Sequence, residues 1–162
     1  MSFSLPELPD SPAERYAELA DHARALIDGE PDRVANAANL SALVKATVPD
    51  LNWVGFYFFD GAELVVGPFQ GLPACIRIPL DRGVCGAAAR TRETQRVDDV
   101  HAVADHIACD AATRSELVVP LIGPDGALVG VFDLDSELPA RFSDDDQRGL
   151  EAVAAVFVAS LA

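Results

Sequence analysis

Basic residues are scarce in this sequence: 12 Lys and Arg stand against 26 Asp and Glu over 162 residues, for a formal net charge of −14. The deficit is spread along the chain, so no basic patch remains for a nucleic-acid backbone or an anionic membrane surface. Long apolar runs are missing too. The uncharged stretch Ala152–Ala162 falls well short of the ~18–20 residues a membrane span needs. The opening MSFSLPELPDSPAE has neither a basic nor an apolar region of secretory type, and a reducing, cytoplasmic setting is the expectation. Cysteine is limited to Cys75, Cys85 and Cys109. An odd number in such a setting argues against a disulfide framework and for thiol chemistry or simple burial. There is no C-x-x-C, no H-E-x-x-H, no repeat and no low-complexity segment.

Half of the residues are hydrophobic, enough for a buried core, and the length suits one domain over residues 1–162. Residues 1–10, with Pro6 and Pro9 among polar neighbours, read as an N-terminal arm prone to fraying. Ser11-Pro12-Ala13-Glu14 has the pattern of a capping box with proline at the first helical position, and apolar residues follow at helical spacing to Ile27. A second periodic run, Leu40 to Val48, ends at Pro49, and a third starts at Ser143 with three acids in its first turn. Between them, Leu51–Phe59 with Glu63–Phe69, and Glu116–Ile122 with Ala127–Asp135, flank turn residues and predict two antiparallel hairpins. Cys75–Leu80 and Thr94–Val97 read as further strands around a short helix at Val84–Thr91 that starts through Gly83. The fold class is α+β: a central antiparallel sheet of about six strands flanked by N- and C-terminal helices. The apolar outer faces of those helices suit a homodimer, or a monomer if they fold inward.

His101–Arg114 has little periodicity, and an irregular segment of that length in a compact domain is more often functional than idle. It carries Cys109, a candidate nucleophile, although a lone cysteine commonly serves as a small core hydrophobe. Zinc would draw on His101, His106 and Cys109 with Asp98, Asp99 or Asp105, but their spacing matches no zinc framework, and no metal is expected. In Leu128–Asp135 the period of two puts Asp133 and Asp135 on one face and Phe132 and Leu134 on the other. With Glu116 on the paired strand, three carboxylates would crowd, and crowding or burial raises a pKa until one of them carries a proton near neutrality. A strand end running into solvent is the bland alternative. Trp53, Gly55 and Tyr57 share a face of the first strand, either as an aromatic-walled recess or as ordinary core.

Residues 50–136 resemble the free methionine-(R)-sulfoxide reductases, which are single GAF domains. The resemblance rests on Ala74-Cys75-Ile76-Arg77-Ile78, Gly83-Val84-Cys85-Gly86 and His106-Ile107-Ala108-Cys109-Asp110, with Thr94–His101 between, and on Asn52–Tyr57, Ser115-Glu116 and Phe132–Ser136. It implies a GAF-like sheet and reduction of free L-methionine-(R)-sulfoxide, with no bound cofactor and with thioredoxin as external reductant. Cys109 matches the nucleophile. Cys75 is the expected resolving thiol, and Cys85 is an alternative resolver or a relay, which sequence spacing leaves open. Glu116, Asp133 and Asp135 are expected to protonate the sulfoxide oxygen or hold the substrate ammonium. Trp53 and Tyr57 would wall the S-methyl group, and the backbone amides around Ile107, Ala108 and Cys109 would bind the carboxylate. A ligand-sensing module without chemistry, or a redox sensor that oxidises once, would use the same residues differently.

Overall fold

The computed structural model describes residues 3–162. Its elements run α1 (Pro12–Leu26), α2 (Arg33–Thr47), β1 (Trp53–Phe59), β2 (Leu64–Gln70), β3 (Arg77–Ile78), α3 (Gly83–Thr91), β4 (Gln95–Val97), a 3-10 turn (Val100–Ala102), β5 (Ser115–Ile122), β6 (Leu128–Ser136) and α4 (Asp144–Ala159). The six strands form one antiparallel sheet in the order β3-β2-β1-β6-β5-β4. Both expected hairpins are present, joined at the centre by β1 against β6, where Gly55 faces Asp133 and Trp53 faces Asp135.

Strand alternation divides the core in two. Val54, Phe56, Leu117, Val119, Phe132 and Leu134 point to the layer of α1, α2 and α4, whereas Trp53, Tyr57, Val118 and Val131 pack with Val84, Cys85, Ala88 and Ala89 of α3. The same alternation delivers Asp133 to the α3 side, away from the larger core. The buried Asp133 and Cys85 therefore meet between the sheet and α3.

Several local expectations change. Ser11 stands at the N-cap of α1, but its exposed side chain makes no cap hydrogen bond. The capping box forms instead at α4, between Ser143 and Asp146. Helix α2 starts well before Leu40: Asp32 accepts from the amides of Val34 and Ala35 at 2.9 Å each, and the first turn is built of residues too small or polar to show apolar periodicity. β3 is two residues long rather than spanning Cys75–Leu80, because Cys75 is bonded elsewhere and Pro79 has no N–H to donate. The N-terminal arm is held at its base: Leu8 packs on the core and the Arg15 guanidinium reaches Pro9 O at 3.1 Å; residues 1–2 lie outside the described part.

Candidate active site

Cys75, between β2 and β3, and Cys109, in the irregular segment after the 3-10 turn, are joined by a disulfide with Cα atoms 5.3 Å apart; Cys85 on α3 is free and buried. Directly beneath lies a cavity walled by Trp53, Tyr57, Val84 and Ile107 and floored by Glu116, Asp133 and Asp135. In this disulfide form it holds about 30 Å³ of free space, room for a water or two.

The wall is built by β1. Gly55 lets the indole lie over the strand, since a Cβ there would come within 2.6 Å of Trp53 Cη2. The rings of Trp53 and Tyr57 stack with centroids 5.8 Å apart, and Phe69 backs the indole at 5.1 Å. Both polar ends point at the segment carrying Cys75: the indole N–H donates to Leu72 O at 3.2 Å and the Tyr57 hydroxyl to Cys75 O at 3.3 Å.

The floor is acidic and buried. Glu116 and Asp133 are 6% and 5% exposed, and Asp135 is partly buried beside them. Burial, reinforced by the neighbouring Asp135, pushes Glu116 up to about 8. Burial raises Asp133 and Asp135 well above the usual carboxylate range as well, with Glu116 adding to the first and Asp133 to the second. The cluster therefore holds protons at neutral pH. Cys85 Sγ lies 3.8 Å from Glu116 Oε1, and burial raises its thiol, so it stays protonated. Among the described residues, Asp133 Oδ1 is buried with no hydrogen-bond partner, an acceptor left open toward the cavity.

An aromatic wall, a proton-bearing carboxylate floor and a disulfide across the mouth thus meet in one small cavity. The GAF domain family model matches residues 30–161. The free methionine-R-sulfoxide reductase of Escherichia coli is 47% identical over 142 residues, covering 88% of this chain and 86% of that protein. The chain belongs to the free methionine-R-sulfoxide reductase family of GAF domains. The X-ray structure of the free methionine-R-sulfoxide reductase from Neisseria meningitidis in complex with its substrate superposes with a TM-score of 0.92 at 41% identity, covering 98% of this chain and 95% of that one. A protein of Burkholderia vietnamiensis described as a GAF sensor is 64% identical with a TM-score of 0.89, covering 91% of this chain and 94% of that one.

Within this reductase fold the cavity brings together Trp53, Tyr57, Cys85, Ile107, Cys109, Glu116, Asp133 and Asp135, with Cys75 bonded across its mouth. Ala108 is exposed and does not line it. The Cys109 amide is engaged by Ile107 O at 3.0 Å. Among the described residues, side chains of metal-binding type converge at Cys85, Glu116 and Asp133, within 4.8 Å of one another, and not on the set His101, His106 and Cys109. His106, considered in the sequence only as a zinc ligand, brings Nε2 within 3.7 Å of Glu116 Oε2, and burial keeps it neutral. Asn52, Asp110 and Thr113 also converge here without having been singled out; adjacency to Trp53 and Cys109 is the signal that could have found the first two.

Proposed function

We propose that the protein reduces free L-methionine-(R)-sulfoxide to L-methionine through a thiolate, sulfenic acid and disulfide cycle. The observation that carries the reading is the Cys75–Cys109 bond set over a buried, proton-bearing carboxylate floor. Cys109 thiolate attacks the sulfoxide sulfur while Glu116 delivers a proton to the oxygen, and as the new S–S bond of this adduct breaks toward methionine the hydroxyl passes to the Cys109 sulfur. Methionine departs reduced and the oxygen stays on Cys109 as sulfenic acid. The Cys75 thiol then attacks that sulfur, forming the S–S bond, and the oxygen leaves as water. An external dithiol of the thioredoxin class supplies two electrons and two protons to restore both thiols. No resident cofactor takes part, and a reducing, cytoplasmic compartment suits the cycle.

The unpartnered Asp133 Oδ1, with Asp135, receives the substrate ammonium, which explains a preference for the free amino acid over a peptide residue. Trp53 and Tyr57 enclose the S-methyl group. Only the R epimer presents methyl to the rings and oxygen to the acids together. The carboxylate takes amides around Ile107–Cys109.

The test is NADPH consumption in a thioredoxin-coupled assay with each epimer of free methionine sulfoxide. Continuous turnover on the R epimer alone is expected. One oxidation per chain followed by arrest would favour the sensor, and inactivity on both epimers would overturn the reductase.

Because Glu116 must carry its proton, the chemical step is expected to fall off as pH rises through about 8. Glu116→Gln is expected to lose roughly 100-fold or more in kcat, the low end for a general acid, and to lose that limb of the profile. Stability moves the same way. The folded value lies above the ordinary 4.5, so the protonated group favours the folded state at acid pH, and this contribution fades as pH rises from about 4.5 through about 8. Thermal unfolding at pH 5 and pH 9 should show a smaller alkaline loss in Glu116→Gln than in the wild type.

A further inference from the structure

The Cys109 segment has few fastenings. Among the described residues, the main-chain bonds made by the amides of Val103, His106 and Cys109 go to Val100, Val103 and Ile107, all within the same stretch. The first attachment to the sheet after Cys109 comes at Asp110–Thr113, and one side chain makes it. Asn52 Nδ2 donates to Asp110 Oδ2 at 2.9 Å and to Thr113 Oγ1 at 3.1 Å, while the Asn52 amide donates to Asp135 O at 2.9 Å and holds the residue on β6. Asp110 closes the turn itself, accepting from Ala112 N at 2.9 Å and from Thr113 N at 3.3 Å. Among the described residues the Asn52 oxygen is buried with no donor, a desolvation cost that an apolar side chain would avoid. An amide in that place is explained by its two N–H groups.

We propose that Asn52 is a positioning residue that fixes Cys109 against Cys75 by clamping the Asp110–Thr113 turn to the start of β1. The proposal deepens the cysteine cycle described above, but it makes a claim about the dithiol pair alone. With the turn clamped, Cys109 has little freedom after reduction, so the two thiols remain at high effective concentration. With the clamp removed, the segment from Val103 to Cys109 wanders and the disulfide forms less readily.

The experiment is equilibration of the protein with a glutathione redox buffer, reading the Cys75–Cys109 disulfide by mass after acid quench and alkylation. Asn52→Ala is expected to lower the effective concentration about tenfold, a rise in reduction potential of about 30 mV. Asp110→Ala is expected to fall similarly, and the double variant no further than the larger single loss, because both act through one contact. An unchanged equilibrium in Asn52→Ala with a native circular dichroism spectrum overturns the proposal, as do losses that simply add. If Asn52→Ala fails to fold, Thr113→Val, which removes one of the two acceptors, supplies the readout: a partial loss supports the clamp and none overturns it. Methionine sulfoxide never enters these measurements, so their outcome is separate from that of the reductase assay.

Discussion

Cys109→Ser is expected to abolish methionine formation, whereas Cys75→Ser should release one equivalent of methionine per chain and then stop. The difference follows from which bond each thiol makes. Without Cys109 there is no thiolate to take the sulfoxide oxygen, and a serine hydroxyl is far too weakly acidic to replace it. Without Cys75 the first step is intact, but the sulfenic acid finds no thiol at 5.3 Å between Cα atoms and persists. Cys85 is a poor substitute: it is 4% exposed, and burial among acids keeps its thiol protonated. Rapid-quench counting of methionine, with a dimedone-type trap and mass analysis for sulfenic acid, checks both variants. Continued turnover by Cys75→Ser with a thioredoxin system would transfer the resolving role to Cys85.

Gly149→Ala is expected to destabilise the fold by about 1–2 kcal/mol, although the usual rule points the other way. In an exposed helix interior the exchange gains about 1 kcal/mol from propensity. Gly149, however, lies in α4 where α1 crosses it, and a Cβ there would overlap Cγ and Cδ1 of Tyr16 and lie 2.5 Å from its Cβ. Tyr16 cannot step aside. It is 4% exposed, and its hydroxyl donates to Asp146 at 2.5 Å, which in turn holds Arg141 Nη1 at 2.9 Å and the cap of α4. Overpacking a fixed contact costs about 1–3 kcal/mol or more and outweighs the propensity gain. A chain of this length should lose roughly 2–8 °C in Tm by calorimetry. An unchanged or higher Tm would mean that α1 slides freely over α4.

The parts of this molecule legible in the sequence are those whose cause is local. Alternation in β6 separates Phe132 and Leu134 from Asp133 and Asp135 because side chains alternate wherever a strand forms, and the Trp53, Gly55, Tyr57 face follows in the same way. Turn residues placed both hairpins for a similar reason. The resemblance supplied the pairing of Cys75 as the expected partner of Cys109, which spacing alone left open; 34 residues separate them, and only the packed sheet brings them together. The Asn52 clamp spans 58 residues to Asp110 and has no local signature. The expected cap at Ser11 shows the opposite failure. Its motif is complete in the sequence, yet an exposed serine is equally well served by water, and the same pattern closes only at Ser143.

The space left beneath the disulfide also sets an order of events. With about 30 Å³ open, the disulfide form has no room for an amino acid of methionine's size, while the sulfur that the reductant of the proposed cycle would reach lies at the mouth of that same cavity. One opening thus serves two visitors that exclude each other. On the proposed cycle the two half-reactions would then form a ping-pong exchange in which the oxidised chain is blind to substrate, and an excess of sulfoxide would leave the waiting disulfide accessible to its electron donor.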